Sequence, residues 1–435
     1  MKKSLFAVAA AGAFASASGV AQAQSSVTVY GVLDMGYVAG AVRAVDGTAA
    51  GVFQNIKTNT SAIAAGAEST SRLGFRGTED LGGGKAAFFT IEIGLTPADA
   101  NASGANATST TDAIQGTTQA GGSAINNRQS FVGLRDKDLG QIALGRQYTV
   151  IYNEALKTDP NAFSNIAGGL IYVATPSQMA AGSGSLANGG FTNRASNALT
   201  FSSKNFSGFN LNGFYAVNNT NSTERNTSTG GNANWNGYGI NGNFTWQKLY
   251  ATVAYQNFFV KADQALNYGN VTQNLGSGAL SGQQSTSTGT VNQYSDLSDR
   301  QFFAGASYDF GVLKAFAQYI NRNVEQNNGN NSTTVRTGQV VSRSATAIGV
   351  RSFVSPTIEV WASGATGSYK GATVIASGLQ PKTNINAFQV GSNYYLSKRT
   401  NMYAMFGTNT SSANNSLAGA GSSVSQAAVG LRHTF

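Results

Sequence analysis

The sequence contains no cysteine and a single histidine, His433, the third residue from its end. A chain without cysteine forms no disulfide bond and offers no thiolate ligand to a metal ion. A Cys–His nucleophile and most zinc sites are therefore excluded, and a Ser–His pair is possible only through His433. We expect no metal site, no cofactor and no enzymatic activity.

Charged residues are scarce as well, at 11% of the sequence, and only 5 residues are proline. A soluble domain usually has about a quarter of its residues charged. Beyond the N-terminal region, no stretch reaches the roughly 18 consecutive apolar residues that a membrane-spanning helix needs. The composition therefore argues against both an ordinary soluble domain and a helical membrane protein.

The first 23 residues have the features of a secretory signal peptide. Two lysines follow the initial methionine, an alanine-rich apolar run comes next, and Ala21-Gln22-Ala23 matches a small-residue cleavage pattern. We expect cleavage after residue 23, which leaves residues 24–435 as one domain. In lipid, an exported chain without a spanning helix can pair its backbone groups only as a closed β-barrel.

The stretch SRLGFRGTEDLGGGKAAFFTIEIGL, residues 71–95, alternates between two kinds of side chain. Leu73 and Phe75 fall on one face of an extended chain, and Arg72 and Arg76 fall on the other. The same alternation returns after the glycine-rich turn. This pattern is typical of strands in a membrane barrel, because alternate side chains face lipid and a polar interior.

Two-faced runs of this kind recur along the rest of the chain. They are roughly ten residues long, as expected for tilted membrane strands. We predict an all-β fold, a 16-stranded antiparallel transmembrane β-barrel, with strands at residues 27–38, 70–78, 85–95, 127–134, 141–148, 194–203, 209–217, 236–246, 249–260, 299–309, 312–322, 344–353, 357–367, 384–396, 400–408 and 424–435.

The connections between these strands alternate strictly in length, which is typical of bacterial outer-membrane barrels with short periplasmic turns and long extracellular loops. The short ones are predicted at 79–84, 135–140, 204–208, 247–248, 311, 354–356 and 397–399. The long ones are predicted at 39–69, 96–126, 149–193, 218–235, 261–298, 323–343, 368–383 and 409–423. We expect the long loops to be solvated, with recognition of a particular ligand as the alternative.

Several motifs resemble those of the general diffusion porins of Gram-negative outer membranes, of the β-proteobacterial type. They are VTVYGVLDMGY, SRLGFRGTEDLGGG, NRQSFVGL, IALGRQYT and the closing VGLRHTF. The resemblance implies a trimeric barrel whose third loop, residues 149–193, folds inward and narrows the lumen. The loop lacks the family's acidic PEFG tip, and its remaining acidic residues are Glu154 and Asp159.

The resemblance also implies a ladder of basic side chains at the pore constriction, which here would be Arg72, Arg128 and Arg194. Parity along the strands independently supports an inward direction for Arg72 and Arg194. Arg128 shares its parity with Val132 and Leu134, so its inward placement depends mainly on the resemblance.

Four more residues are candidates for a role in the pore or in assembly. Arg76 is expected to point inward near the short turns, as a lumen charge or as an interfacial anchor. Glu92 and Asp34 are candidate secondary lumen charges. Phe435, the last residue, is the candidate C-terminal assembly signal.

Arg146 has the parity of two apolar residues, Ile142 and Leu144, which are expected to face outward. A lone arginine that faces lipid at the midplane costs about 2–4 kcal/mol. We therefore expect Arg146 at the interface between subunits of the trimer, which in the family lies along the first strands.

The implied function is a water-filled channel for passive diffusion of small hydrophilic solutes and ions, with a preference for anions. The net formal charge of +9, or +7 without the two lysines of the signal peptide, agrees with this preference. The implied partners are a homotrimer, outer-membrane lipid and lipopolysaccharide, the assembly machinery that reads the last strand, and the solutes themselves. Nucleic acid is not expected.

Two alternatives stay open. A substrate-specific channel for one class of solute would show saturable block of its current by that solute. An outer-membrane enzyme would depend on His433, whose parity is that of the lipid side, and an adhesin would depend on the long loops. The glycine-rich EDLGGGK is a turn, because it lacks the spacing of a phosphate-binding loop.

Overall fold

The computed structural model describes residues 26–47, 53–98, 126–169, 191, 194–226, 229–262, 295–326, 338–370, 382–413 and 421–435. Almost all of these residues are in β-strands. The predicted signal peptide lies outside the described residues, as do most of the predicted loops at 96–126 and 261–298. In the described part of the chain, no helix is long and apolar enough to cross a membrane.

The described residues form seventeen strands in one sheet. The strands are β1 (Ser26–Gly47), β2 (Phe53–Ala65), β3 (Arg72–Gly82), β4 (Lys85–Gly94), β5 (Asn127–Asp136), β6 (Gly140–Tyr148), β7 (Arg194–Ser203), β8 (Phe209–Asn226), β9 (Thr229–Trp246), β10 (Leu249–Ala262), β11 (Ser295–Asp309), β12 (Lys314–Gln326), β13 (Gly338–Ser355), β14 (Ile358–Lys370), β15 (Lys382–Tyr395), β16 (Thr400–Ala413) and β17 (Ser422–Thr434). The connections predicted to be short all lie at one end of the sheet, the short-turn end, and the other end is the long-loop end.

The sheet closes on itself because its first and last strands pair with each other. Val32 lies opposite Thr434, and the antiparallel pairing continues to Arg43 opposite Ser423. A closed barrel leaves no strand edge unpaired in the lipid, where an unpaired backbone group has no water to bind. The prediction of a closed antiparallel barrel is confirmed.

The second position in the barrel is shared by β2 and β3, so that seventeen strands occupy sixteen positions. β2 pairs with the second half of β1, beginning with Ala65 opposite Met35. β3 pairs with the first half of β1, as far as Arg72 opposite Val32. The residues between them, 66–71, leave the wall of the barrel. The predicted number of sixteen is confirmed.

Two predicted loops are wrong in extent. The predicted loop at 39–69 is largely a hairpin, because β1 continues to residue 47 and β2 returns antiparallel to it. The predicted loop at 218–235 is likewise formed by the extended ends of β8 and β9. These strands are much longer than the roughly 9–11 residues that span a membrane. Beyond the lipid, backbone pairing continues without the apolar alternation on which the prediction depended.

Side chains alternate between the outside of the barrel and its lumen. On β15, Phe388 and Val390 are exposed on the outside, and Gln389 between them is completely buried on the inside. The outward side chains are mostly aliphatic and aromatic, as in Val29, Phe75, Ile91, Val132, Leu144, Phe201, Tyr238, Val253, Tyr319, Ile348 and Met402. The predicted alternation between an apolar outside and a polar inside is confirmed.

The connection after β6 turns into the barrel and begins with helix α1 (Val150–Thr158). The Thr149 hydroxyl caps this helix by accepting a hydrogen bond from the Tyr152 amide at 3.4 Å. The helix packs on the inner wall, where Gln318 of β12 donates hydrogen bonds to the Ala155 carbonyl at 2.9 Å and to the Thr158 hydroxyl at 3.0 Å.

The residues after α1 continue along the inner wall and bind strands β14, β15 and β16 in turn. The contacts are Asn161 to Ser363 at 2.7 Å, Ser164 to Gln389 at 2.7 Å and the Gly168 amide to Asn409 at 3.0 Å. Polar side chains of the wall therefore hold the segment inside the barrel. The prediction of an inward-folded third loop is confirmed for its described residues.

Candidate pore constriction

Glu92 of β4 is the centre of a group of polar side chains on the inner wall. Its carboxylate accepts a hydrogen bond from Arg128 Nε at 2.7 Å and lies 3.7 Å from Arg72 Nε. Tyr148 of β6 donates to the same carboxylate at 3.0 Å, and Tyr30 of β1 donates to it at 3.2 Å. Two of the predicted basic residues and one predicted lumen acid thus meet at one place.

A β-bulge explains why Arg128 lies inside the barrel against its parity. Glu92 is opposite Gln129 and the next residue, Ile93, is opposite Asn127, so Arg128 is an extra residue in β5. Such a bulge shifts the alternation of the strand by one residue. The Arg128 side chain also donates to the Tyr148 hydroxyl at 2.8 Å, and the residue is only 5% exposed.

Arg194, the first residue of β7, rests against two tyrosines. Its guanidinium carbon is 5.3 Å from the ring centroid of Tyr148 and 5.9 Å from that of Tyr152. The two rings are stacked, with centroids 4.0 Å apart and planes at 6°. A cation over an aromatic ring contributes about 0.5–2 kcal/mol. Because Tyr148 ends β6 and Tyr152 belongs to α1, Arg194 connects the barrel wall with the inward loop.

Both acidic residues of the inward loop are buried in contacts of their own. Glu154 is 1% exposed, pairs with Lys157 at 2.8 Å and accepts a hydrogen bond from the Tyr250 hydroxyl. Asp159 is 9% exposed and accepts a hydrogen bond from the Phe163 amide at 2.8 Å. The rest of the loop sequence contains no acidic residue. The loop therefore places no exposed carboxylate opposite the arginines.

Asp34, the other candidate lumen acid, is completely buried. Its carboxylate accepts hydrogen bonds from the Tyr403 hydroxyl at 2.6 Å, the Glu68 amide at 2.9 Å and the Ser69 amide at 2.6 Å. The structure thus places Asp34 beneath the segment 66–71, where its carboxylate contacts that segment and Tyr403.

Two further arginines lie away from this group. Arg76 is exposed nearer the short-turn end, with its guanidinium carbon 5.3 Å from the ring centroid of Tyr30. Arg146 is 7% exposed and donates hydrogen bonds to the Asn127 carbonyl at 2.8 Å and to the Ser196 hydroxyl. Its predicted place at a subunit interface stays a prediction.

Sequence reasoning missed several charged side chains that also point into the barrel. They form ion pairs between Arg432 and Glu68 at 3.1 Å, between Arg351 and Glu359 at 3.6 Å and between Arg322 and Asp299 at 2.9 Å, with Arg343 opposite Arg322. For those that lie on strands, the signal was the parity already used for β3. Arg322, for example, has the parity of the inward Gln318.

The C-terminal end of the chain closes the seam of the barrel. The Gly31 amide donates to the Phe435 carbonyl at 3.0 Å, and the Phe435 amide donates to the Gly31 carbonyl at 3.2 Å. His433 is exposed, with Nδ1 2.9 Å from the Thr400 hydroxyl. Among the residues that the structure describes, no group of three or more acidic or histidine side chains could hold a metal ion.

A closed barrel with an apolar outside, a polar lumen and an inward loop defines an outer-membrane channel. The chain belongs to the family described as Gram-negative porin, whose model matches residues 7–414. It is 32% identical to Outer membrane porin protein 32 of Delftia acidovorans over 314 residues. These residues cover 72% of this chain and 68% of that relative.

Solved structures share the fold. The anion-selective porin from Comamonas acidovorans matches with a TM-score of 0.60 and 22% identity, over 95% of this chain and 100% of the other. The trimer form of OmpT from Vibrio cholerae matches with a TM-score of 0.54 and 13% identity, over 94% and 99%. At these identities the likeness concerns the fold.

Proposed function

We propose that this porin is a passive channel for small hydrophilic solutes that prefers anions to cations. The observation that carries the proposal is the charge at the constriction. Arg72 and Arg128 lie against the single carboxylate of Glu92, and Arg194 stands beside the adjoining tyrosines. Because both acids of the inward loop are buried, the local excess of charge is positive.

A positive excess acts strongly in a narrow passage through a low-dielectric wall. The fields of neighbouring charges add there, which concentrates anions and raises the barrier for cations. Arg72, whose side chain is 28% exposed, and Arg194 contribute most, since the charge of Arg128 is largely balanced by Glu92. The description of the Comamonas acidovorans protein as anion-selective supports the same preference.

The proposal is tested by the reversal potential of the wild-type channel in a planar bilayer with a potassium chloride gradient. We expect the sign that reports chloride over potassium, and the opposite sign would contradict the proposal. A substrate-specific channel would instead show saturable block by one class of solute. We also infer that the chain catalyses no reaction, since the family consists of channels and the only histidine faces outward.

We infer that the protein forms a homotrimer. The resemblance to trimeric porins and the trimer form of the OmpT structure support this state. We propose that Arg146 supports the interface from within the subunit, because it is 7% exposed in the single chain and holds Asn127 of β5 and Ser196 of β7. In gel electrophoresis of samples heated beforehand to increasing temperatures, the trimer band of an Arg146→Ala variant should disappear at a lower temperature than that of the wild type. An unchanged temperature would contradict a role of Arg146 at the interface.

We propose that basic pairs on the outside bind phosphate groups of lipopolysaccharide. Arg43 lies directly opposite Lys57 on β1 and β2, and Lys370 lies opposite Lys382 on β14 and β15. All four side chains are exposed. Like charges in direct opposition destabilise a strand pair, and an anionic group between them relieves the repulsion. Replacing the three lysines with glutamate should reduce the lipopolysaccharide that copurifies.

We further propose that residues 1–23 are removed on export and that residues 24–435 form the barrel domain. The mass of the protein isolated from outer membranes tests the cleavage.

We also propose that the assembly machinery recognises Phe435. The ring of Phe435 is exposed at the end of the last strand and is therefore available for recognition. Deletion of Phe435 should lower the amount of protein that reaches the membrane.

A further inference from the structure

Residues 66–71, which we name the inner ledge, leave the barrel wall between β2 and β3 and enter the lumen. Gly66 starts the ledge with a φ of +78°, and its amide donates to the Asp34 carbonyl at 2.9 Å. Ala67, Glu68 and Ser71 are buried. We propose that the inner ledge holds the inward loop in place at Asn165, and that Asp34 is the residue that positions the ledge.

The Asp34 carboxylate binds the backbone of the inner ledge directly. One of its oxygens accepts the amides of Glu68 at 2.9 Å and Ser69 at 2.6 Å, and the other accepts the Tyr403 hydroxyl at 2.6 Å. The Ser71 hydroxyl accepts the Asp34 amide at 3.0 Å and so fills the gap in the strand ladder. Hydrogen bonds to a carboxylate are roughly twice as strong as neutral ones. A single side chain of β1 thus fixes two successive peptide groups.

The opposite side of the inner ledge binds the inward loop through Asn165. The backbone amide of Asn165 donates a hydrogen bond to the Ala67 carbonyl at 2.8 Å. Its side chain donates to the Gly66 carbonyl at 2.5 Å and to the Thr70 hydroxyl at 3.2 Å. The next loop residue, Ile166, is buried in the same apolar cluster as Ala67. The ledge and the loop therefore form one joined element.

This joined element also determines where Arg72 lies. Arg72 directly follows the inner ledge, and one of its terminal nitrogens donates to the Thr70 carbonyl at 3.1 Å. If the ledge moves, the guanidinium moves with it relative to Glu92. The inference rests on the proposed function in this respect, because it makes Asp34 a positioning residue for the anion preference.

Two neutral replacements of Asp34 separate positioning from charge. Asn retains an oxygen for the two ledge amides and a group for Tyr403, whereas Ala retains neither. Asp34→Asn should therefore keep wild-type conductance and selectivity. Asp34→Ala should give noisier open-channel currents and a fall in the chloride-to-potassium permeability ratio of about twofold or more. If Asp34 acted through its charge alone, both variants would raise the chloride-to-potassium permeability ratio equally. That result would overturn the proposal.

Three further variants keep the test decisive if Asp34→Ala folds poorly. Asn165→Ala removes the two side-chain hydrogen bonds from the loop to the ledge without a change of charge, and it should increase the current noise; wild-type currents would overturn the proposal. Since the chain has no cysteine, Ala67→Cys with Asn165→Cys forms a defined crosslink that should restore quiet currents to Asp34→Ala. Asp299→Asn removes an inward carboxylate on β11, whose partners Arg322 and Gln301 lie outside the ledge, and should leave the noise unchanged.

Separate measurements test the role of the inner ledge and the anion preference of the channel. The sign of the wild-type reversal potential tests the preference. The difference in conductance and current noise between Asp34→Ala and Asp34→Asn tests the ledge, whichever ion the wild-type channel prefers. Equal conductance and equal current noise in the two variants would contradict the proposed role of the inner ledge, even if the channel is anion-selective.

Discussion

The three arginines at the constriction have the same charge but different surroundings. Arg128 is 5% exposed and bonded to Glu92, Arg194 lies against tyrosine rings, and the Arg72 side chain is 28% exposed. A buried ion pair presents little net charge to a passing solute, because its partner is closer than the solute can come. The exposed members of the group therefore dominate the field in the lumen.

Glu92→Gln tests this balance of charges. The variant leaves the buried guanidinium of Arg128 without its carboxylate, so the chloride preference should rise. Breaking a buried pair by removing one partner typically costs about 3–5 kcal/mol, so the barrel should also unfold at a lower temperature. Asp138→Asn, in an exposed turn, is the matched control and should change neither quantity. A fall in chloride preference in Glu92→Gln would contradict the account.

Strand parity predicts side-chain direction only where the strand is regular. It was sufficient to predict an inward direction for Arg72, but it did not settle the direction of Arg128, because a bulge adds one residue to β5 and shifts the alternation. The direct contact of Glu92 with Arg128 depends on the register between β4 and β5, and the contacts of Asp34 depend on a segment that leaves the barrel wall. Neither contact leaves a periodic signal in the sequence.

At the level of whole elements, irregular points in the strands position the constriction. β6 reaches the inward loop through Gly145, whose φ is +136°. An added Cβ there would lie 2.2 Å from the Ser130 carbonyl oxygen. The opposing β7 has an irregularity at the same level, between the partners of residues 145 and 147. The glycine therefore allows β6 to pack closely against β5 where the loop leaves the wall.

Gly145→Ala should destabilise the folded barrel by at least about 1–3 kcal/mol, because the new side chain meets both an unfavourable φ and a backbone oxygen. Gly242→Ala is the control, since an added Cβ at that position on β9 has no atom within 4 Å. The measurement is the folded fraction in a urea titration. Equal midpoints for the two variants would contradict the role of Gly145.

Elements are predictable from sequence in the lipid-spanning part and much less so outside it. The hydrophobic alternation located the strands around Phe75 and Val429 because lipid selects apolar residues there. The hairpin of β1 and β2 extends beyond that zone, where small and polar residues carry no such pattern. Its pairing is stabilised by backbone hydrogen bonds, which every sequence can make.

On the scale of the whole molecule, the alternation of short and long connections and the closure of β1 on β17 follow from the membrane itself. A barrel must leave no free edge in lipid, and chain ends at one side require an even number of strand positions. These constraints made the barrel predictable from the sequence. The lumen is different, because ion pairs such as Arg432 of β17 with Glu68 of the inner ledge join residues that are far apart in the chain.

We propose that the inward arginines give the channel its ion preference. The most direct test is the reversal potential of a variant with Arg72, Arg128 and Arg194 all replaced by glutamine, in the same salt gradient as the wild type. We predict that the chloride preference is lost or inverted in the folded variant, because Glu92 then remains as the nearest charge. A reversal potential equal to that of the wild type would contradict the account.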